Sequence, residues 1–280
     1  IYWFKTPQKY WLNKNNISPK EIFIHHPDEE YVSNLQKSQL ITKIIQQVEI
    51  DNHNIIDDLN ELNINDQLAE NGIIMPKNSI FTKEKEIKDL LSSLSASLSQ
   101  HNKINKIYVK LNANKEEYLI ADDTVIELIN AKLSLSRLTE AWIKLLFISS
   151  LKRNIKRTKV IFRTENNYKS QIIQSPGATE SNLILEEYIN IFKNYSEKCL
   201  PLPPESAYKY VEAKIKSKNE KKAFTDKWIG NKNFSKGERD NIEMKMCFGN
   251  EKEPDFFLGN NNFDQLSYRL YGPLIKALKK

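Results

Sequence analysis

Three short segments rich in β-branched or alternating apolar residues follow one another between residues 104 and 132, and an amphipathic stretch comes directly after them. Segments this close together predict a β-meander or hairpin, because short connections favour pairing of neighbouring strands. The amphipathic stretch has apolar residues at helical spacing, which predicts a helix with one buried face: Leu138, Ala141, Trp142, Leu145 and Leu146. Two further strands are predicted in TKVIFRT and YKSQIIQS, so we expect an α/β fold, a mixed sheet flanked by helices.

The rest of the sequence divides into helical stretches on either side of this predicted sheet. We expect residues 1–103 to form a helical lead-in, residues 104–200 the α/β core, and residues 201–280 a C-terminal helical extension, together in one compact unit. Within the lead-in, a long helix is predicted after Ser79, with one apolar face: Ile80, Ile87, Leu90, Leu91 and Leu94. The proline-rich stretch LPLPPES separates the core from the C-terminal extension. Trp142 is assigned to the core by its spacing, and Trp228 is expected to anchor the C-terminal helices.

The first residues, IYWFKTPQKYW, combine aromatic and basic side chains on a short predicted helix, in which Pro7 suits the first turn. Five aromatics in ten residues exceed what one short helix normally buries within its own domain. Because aromatic side chains anchor many protein interfaces, we expect a partner interface at Tyr2, Trp3, Tyr10 and Trp11. The alternative is that these side chains pack on the helical lead-in. These first residues also lead us to expect that the sequence is a piece cut from a longer protein.

The charge of the chain leans weakly towards a polyanionic partner. Lys and Arg number 42 against 36 Asp and Glu, which gives a net charge of +6, but both signs are abundant. One basic stretch, LKRNIKRTK, and an arginine shortly after it form a candidate DNA-binding set: Lys152, Arg153, Lys156, Arg157, Lys159 and Arg163. Such residues bind phosphates without reading sequence. They are equally consistent with a solvated helix end, where cations complement the helix dipole.

Several kinds of site find no support in the sequence. The two cysteines, Cys199 and Cys247, are too few for a zinc or iron–sulfur site, so we expect two reduced thiols in an intracellular protein. The four histidines have no metal-ligand spacing, and no glycine-rich phosphate loop occurs, so no metal or cofactor is expected. The longest apolar stretch, AWIKLLFISSL, is too short to span a bilayer, which favours a soluble, cytoplasmic protein without a membrane partner.

The predicted hairpin YLIADDTVIELINAK lies between two helices, where PD-(D/E)xK nucleases carry their active site. Those enzymes bind Mg²⁺ through an Asp on one strand and an acid on the next, followed two residues later by a lysine that helps activate water. Here Ala121 stands at the first acidic position, Asn130 at the second, and Lys132 remains. The hairpin therefore resembles a nuclease site that has lost its metal ligands, with no catalytic residue. A shifted alignment that uses Asp122 or Glu127 with Lys132 would leave an active Mg²⁺-dependent nuclease as the alternative.

Taken together, the chain resembles the C-terminal part of the gamma subunit of bacterial exodeoxyribonuclease V, RecC of the RecBCD helicase–nuclease. The resemblance rests on five motifs in family order: YWFKTPQKYWL, SLSRLTEAWIKLL, LPLPPESAYKYVEA, KAFTDKWIGN and DQLSYRLYGPL. It implies a restriction-endonuclease-like fold that has lost catalysis and that guides DNA within a repair and recombination complex. The implied partners are DNA, as duplex end and unwound strands, the motor-nuclease beta subunit and the helicase alpha subunit. A stand-alone nucleic-acid-binding adaptor is the third alternative.

Related partners in the AddAB systems keep an active nuclease and frame it with cysteines that bind an iron–sulfur cluster. This chain has only two cysteines, and neutral residues stand at the acidic positions of the hairpin. The resemblance therefore favours the non-catalytic branch.

Overall fold

A computed structural model of the protein describes residues 1–18, 39, 41–43, 66, 77–99, 104–111, 114–151, 154–231, 235–249 and 252–278. Its helices are α1 (Tyr2–Lys5), α2 (Pro7–Lys14), α3 (Lys77–Leu98), α4 (Leu135–Ser150), α5 (Ala178–Tyr195), α6 (Pro204–Ile215), α7 (Glu220–Ile229), α8 (Ile242–Phe248), α9 (Asp255–Leu258) and α10 (Phe263–Ala277). Its strands are β1 (Asn105–Leu111), β2 (Asn114–Ala121), β3 (Thr124–Ile129), β4 (Arg157–Arg163), β5 (Tyr168–Gln174), β6 (Gly230–Asn231) and β7 (Ser235–Lys236).

The chain divides into two compact units that do not follow the three consecutive segments expected from the sequence. The sheet unit comprises residues 24–133 and 154–172, and the helical unit comprises residues 1–23, 134–153 and 173–280. Each unit is therefore assembled from separate stretches of chain. The helices of the lead-in do not stay together, because α1 and α2 belong to the helical unit and α3 belongs to the sheet unit.

Five strands form one sheet in the order β1–β2–β3–β4–β5. β1, β2 and β3 are antiparallel neighbours, as the closely spaced segments predict, and the β2–β3 turn pairs Ala121 with Thr124. β4 runs parallel to β3, from Thr124 opposite Arg157 to Ile129 opposite Phe162. The sheet is therefore mixed, and the predicted α/β class is confirmed.

Helix α3 covers one face of this sheet within the sheet unit. Its buried residues recur at helical spacing, as predicted for Ile87, Leu90, Leu91 and Leu94. They form one core with side chains of β2, β3 and β4: Ala121, Ile126 and Ile161. Because side chains alternate along a strand, Thr124 and Asn130 share the face of Ile126, and Glu127 lies on the opposite face.

In the helical unit, α4 begins where the sequence predicts. The Ser134 hydroxyl accepts a hydrogen bond from the backbone N–H of Arg137, which caps the first turn. Trp142 is fully buried, as expected, and its indole N–H donates to Tyr188 Oη at 3.1 Å. Tyr188 in turn donates to the carbonyl of Leu270 at 2.8 Å, so the indole of Trp142 and the hydroxyl of Tyr188 are both satisfied, the second by α10.

The C-terminal helices close around a second aromatic cluster. Trp228 is fully buried, stacks on Phe224 and contacts the ring of Phe257 edge-on, with ring centroids 4.9 Å apart. Its indole N–H donates to the carbonyl of Lys252 at 2.7 Å. The prediction that Trp228 anchors these helices is confirmed.

The proline-rich stretch begins helix α6 with a cap supplied from elsewhere in the chain. Pro203 and Pro204 provide no backbone N–H, and the side chain of Glu238 accepts the next two: those of Glu205 at 2.9 Å and Ser206 at 2.7 Å. The Ser206 hydroxyl also donates to Glu238, at 2.6 Å. A buried carboxylate thus satisfies the amino end of a helix that begins about thirty residues before it.

Candidate nucleic-acid interface

The three positions that the sequence assigns to a nuclease site without its metal ligands, Ala121, Asn130 and Lys132, do not all lie close together. Ala121 is buried at the turn end of the β2–β3 hairpin, whereas Asn130 follows the last residue of β3. Ala121 pairs with Thr124, and the six steps from Thr124 to Asn130, at about 3.3 Å each, separate the two positions by about 20 Å. Ala121 and Asn130 are therefore not two positions of one metal site, and the pairing of these two residues is corrected.

The alternative alignment, which uses Asp122 or Glu127 with Lys132, does not bring the required side chains together either. Asp122 lies in the turn with φ of 53°, at the opposite end of β3 from Lys132. Glu127 lies on β3 itself, but its side chain is on the face opposite Asn130. Among the residues that the structure describes, no group of three His, Cys, Asp or Glu side chains could hold a metal ion.

Asn130 is half-buried and serves as a polar link between separate segments of the sheet unit. Its amide nitrogen donates to Thr42 Oγ1 at 2.9 Å, and its amide oxygen accepts from Tyr168 Oη at 3.0 Å. Burial raises the pKa of Tyr168 to about 12, against the opposing effect of the Arg163 charge, so the tyrosine remains a donor at neutral pH. An amide suits this position because it donates on one side and accepts on the other.

Beyond Asn130, the carboxyl ends of β3 and β4 border an open depression in the sheet unit. Continuing the parallel register from Ile129 opposite Phe162 places Asn130 beside Arg163 and Lys132 beside Glu165. The Lys132 ammonium indeed lies 3.1 Å from the Glu165 carboxylate, and both side chains are highly exposed. Exposed pairs of this kind contribute at most about 1 kcal/mol, so they exchange partners readily.

Three basic residues border this depression: Lys132, Arg163 and Lys169. They face one carboxylate, that of Glu165, so the positive charge is in excess. The guanidinium of Arg163 has a buried nitrogen, Nη1, without a hydrogen-bond partner in the described part of the chain. Lys169 was not among the candidates drawn from the sequence. The signal available in the sequence was the short turn from Thr164 to Asn167 between two strands, with Arg163 just before it and Lys169 two residues after it.

The basic run does not form one patch. Lys156 and Arg157 lie at the start of β4, where Lys156 is 3.3 Å from the Asp123 carboxylate and the Arg157 Nε donates to Thr124 Oγ1 at 2.9 Å. Desolvation opposes ionisation of Asp123, but hydrogen bonds from Thr124 and Lys156 and the charges of Lys156 and Arg157 lower its pKa. Arg163 lies at the other end of the same strand, about 20 Å away at strand spacing.

Lys159, a third member of the run, is buried and binds within the protein. Its ammonium donates to the carbonyl of Ser97 at 2.9 Å, on the last turn of α3. Burial, with the charge of Arg157, lowers the pKa of Lys159. The DNA-binding assignment of Lys159 is therefore wrong, because the side chain caps a helix end instead. Lys152 and Arg153 lie outside the described residues.

Comparison with known families agrees with the first three of the five motifs read from the sequence, which lie within the matched residues. Residues 1–215, about three quarters of the chain, match the family profile described as the RecC C-terminal domain. The chain belongs to this family. No match to a curated protein sequence was found. Membership in the RecC C-terminal domain family indicates a component of the RecBCD complex.

The N-terminal aromatic segment of this RecC C-terminal domain is only partly available to a partner. Trp3 is 3 % exposed and packs edge-on against Phe4 and Phe192, with ring centroids 4.8 and 5.7 Å apart. Its assignment to a partner interface is corrected, because the side chain belongs to the core of the helical unit. Tyr10 and Trp11 are half-buried, and Tyr2 is exposed.

Helix α2 of the RecC C-terminal domain is also fixed by polar contacts. The buried amide of Gln8 donates to the carbonyl of Leu200 at 2.9 Å and to that of Leu202 at 3.0 Å. Lys5 pairs with Glu140 of α4 at 2.5 Å. The alternative expectation is that the aromatic segment packs on the helical lead-in, but Trp3 packs on Phe192, which lies outside residues 1–103. No helix in the described ranges has the length and apolar character needed to cross a bilayer.

Proposed function

We propose that this protein is a non-catalytic DNA-guiding and scaffolding domain of a bacterial helicase–nuclease that processes double-strand DNA ends for recombinational repair. The match of residues 1–215 to the RecC C-terminal domain family carries this proposal. In this role the domain meets the duplex end and the unwound strands, and it assembles with the motor-nuclease beta subunit and the helicase alpha subunit. The helicase and nuclease chemistry would then reside in those partners.

The order of elements supports a restriction-endonuclease-like ancestry. Helix α3, the antiparallel strands β1–β3, helix α4 and the parallel strand β4 follow one another along the chain. Asn130 and Lys132 lie just beyond β3, where the second acid and the lysine of a PD-(D/E)xK site would follow. The Asn130 amide forms hydrogen bonds with the hydroxyls of Thr42 and Tyr168. A hard dication such as Mg²⁺ prefers carboxylate ligands, and these neutral groups are poor substitutes for them. This arrangement favours a scaffold over an active nuclease.

We expect the purified protein to leave linear duplex DNA intact in the presence of Mg²⁺, and we expect the same of an Asn130→Asp variant. One restored carboxylate would lie beside Thr42 and Tyr168, without the second acidic ligand that an activated water requires. Release of acid-soluble nucleotides from end-labelled DNA measures this, with EDTA as the control for contaminating nucleases. Mg²⁺-dependent digestion that disappears in a Lys132→Ala variant would overturn the non-catalytic assignment.

The depression beyond β3 and β4 is the proposed contact for DNA backbone. Lys132 and Lys169 are exposed, and Arg163 places a third positive charge beside them. Lys and Arg side chains that neutralise phosphates supply affinity without base recognition. That property suits a domain that must conduct strands of any sequence.

We expect a Lys132→Gln/Lys169→Gln double variant to bind DNA more weakly, with a shallower salt dependence. Each lost phosphate contact should lower the log–log salt slope by about 0.7–0.9. Fluorescence anisotropy with a fork-shaped oligonucleotide across a salt series measures the slope. A Lys209→Gln/Lys216→Gln double variant is the matched control, because it removes two exposed lysines that pair with Glu212 in the other unit.

If the Lys132→Gln/Lys169→Gln variant and its Lys209→Gln/Lys216→Gln control have equal salt slopes, the depression does not contact DNA. A Lys156→Gln/Arg157→Gln variant tests the second exposed basic pair in the same assay. A reduced slope there, with none for Lys132 and Lys169, would move the contact to the β2–β3 turn beside Asp123.

A further inference from the structure

One acidic side chain lies among the basic residues of the depression beyond β3 and β4. Of the described residues that line it, Lys132, Arg163 and Lys169 are cationic and Glu165 is the single carboxylate. A Glu165 carboxylate oxygen lies 3.1 Å from the Lys132 ammonium, and the two side chains are 80 % and 77 % exposed. An ion pair this exposed contributes little to stability. Stability of the fold is therefore a poor reason for an acid at this position.

The backbone of the turn from Thr164 to Asn167 fixes where Glu165 lies. The Thr164 N–H donates to the carbonyl of Asn167 at 2.8 Å, and the Thr164 hydroxyl donates to the same carbonyl at 2.8 Å. Glu165 and Asn166 are the two residues that this closed turn encloses. The parallel register of β3 and β4, continued past their last pair, sets the turn beside Lys132. The carboxylate is thus presented to the ammonium by a backbone that is held in place.

A carboxylate presented in this way has an advantage over a phosphate that arrives from solution. Its approach to Lys132 is intramolecular, so its effective concentration beside the ammonium is high. Carboxylates and phosphates both offer anionic oxygens as acceptors to an ammonium. A phosphate that pairs with Lys132 must therefore displace Glu165 or remain close to a like charge, and either lowers its affinity.

We propose that Glu165 is an internal competitor for the DNA backbone, whose carboxylate occupies Lys132 until a phosphate of the strand displaces it. This inference rests on the DNA contact proposed above for Lys132 and Lys169. A strand can displace the carboxylate because it brings several phosphates at once, and others of them pair with Arg163 and Lys169. A mononucleotide brings only one. The competitor weakens each contact and favours a continuous strand over single phosphates.

Fluorescence anisotropy of the purified protein with the fork-shaped oligonucleotide, at one low salt concentration, tests the proposal. We expect Glu165→Gln to bind about two- to fivefold more tightly than the wild type, which is the range that loss of an exposed ion pair allows. Glu117→Gln is the matched control, because it removes the same charge from an exposed side chain of β2 in the same unit. We expect this control to change the affinity much less.

The cost of Lys132→Gln with and without the carboxylate decides between competition and a distant charge effect. In the wild type, Lys132→Gln removes a DNA contact that Glu165 already weakens. In the Glu165→Gln background it removes the same contact at full strength. We therefore expect the loss of affinity to be about two- to fivefold larger in the Glu165→Gln background.

Three results would overturn the proposal. If Lys132→Gln costs the same factor in both backgrounds, the DNA contact stands and Glu165 acts only as a distant charge. If Glu165→Gln binds no more tightly than Glu117→Gln, the carboxylate does not compete. If Lys132→Gln costs no affinity in either background, the DNA contact at the depression fails and the competitor role fails with it. All three substituted side chains are exposed, so unfolding does not obscure these outcomes.

Discussion

Replacing Trp3 by Ala is expected to lower the free energy of unfolding by about 3–5 kcal/mol, as for other large aromatic side chains deleted from a core. The indole is almost fully buried and packs against the rings of Phe4 and Phe192. Its removal therefore leaves a cavity where α1 packs against α5. Chemical denaturation followed by fluorescence of the remaining tryptophans measures the loss.

Tyr2→Ala is the matched control, because Tyr2 is the neighbouring aromatic and its side chain is exposed. We expect Tyr2→Ala to change stability by less than about 1 kcal/mol. A Trp3→Phe variant should recover most of the loss, since the buried Trp3 indole N–H has no partner among the described residues. If Trp3→Ala leaves unfolding unchanged but abolishes co-purification with partner subunits, the indole serves an interface and the packing argument fails.

Glu238→Ala is expected to lower the free energy of unfolding by about 2–4 kcal/mol. The substitution removes the only cap that the structure shows on the N–H groups of Glu205 and Ser206, and it leaves the buried Ser206 hydroxyl without its acceptor. Loss of a helix cap costs about 0.5–2 kcal/mol, and each buried unsatisfied group adds about 1–3 kcal/mol. Urea denaturation at pH 7 measures the change, with Glu197→Ala as a control, because the Glu197 side chain is exposed.

The same residue should make stability depend on pH. Burial raises the pKa of Glu238 to about 7, from about 4.5 in an unfolded chain, although hydrogen bonds from Ser206 and Glu205 oppose the rise. Between these two values the folded protein holds a proton that the unfolded chain has lost. The stabilisation from this proton is present below pH 4.5 and is lost as pH rises to about 7.

We therefore compare the wild type with Glu238→Gln at pH 5 and pH 8. The advantage of the wild type should shrink by about 2–3 kcal/mol between the two conditions, since a glutamine cannot titrate. Effects of all other groups cancel in the difference between the two proteins. An advantage that stays constant with pH would show that Glu238 keeps one protonation state, and an advantage that grows would show that its hydrogen bonds outweigh burial.

The local elements of this protein could be predicted from sequence because their signals are short-range. The β2–β3 hairpin and helix α4 follow from alternation and helical spacing in fewer than twenty consecutive residues. The burial of Trp142 follows from the same periodicity. Each of these predictions depends on neighbours that the chain itself fixes.

The errors concern residues whose partners are distant in sequence. Lys159 reads as part of a basic run, yet the carbonyl of Ser97 holds it, and nothing near Lys159 in the sequence indicates that helix end. Trp3 reads as an interface aromatic because Phe192 is almost two hundred residues away. Ala121 and Asn130 read as neighbours because the register of a hairpin decides which residues meet, and a motif does not specify it.

The alternation of chain between the two units sets an order of events during synthesis. Gln8 cannot bind the carbonyls of Leu200 and Leu202 until nearly two hundred further residues have left the ribosome. Helices α1 and α2 must therefore wait, with Trp3 uncovered, while the whole sheet unit is made. Contacts of such long range slow folding, and exposed aromatic surface invites aggregation in the interval. A chaperone or an early-bound subunit that shields residues 1–15 would thus raise the yield of folded protein without changing the native structure.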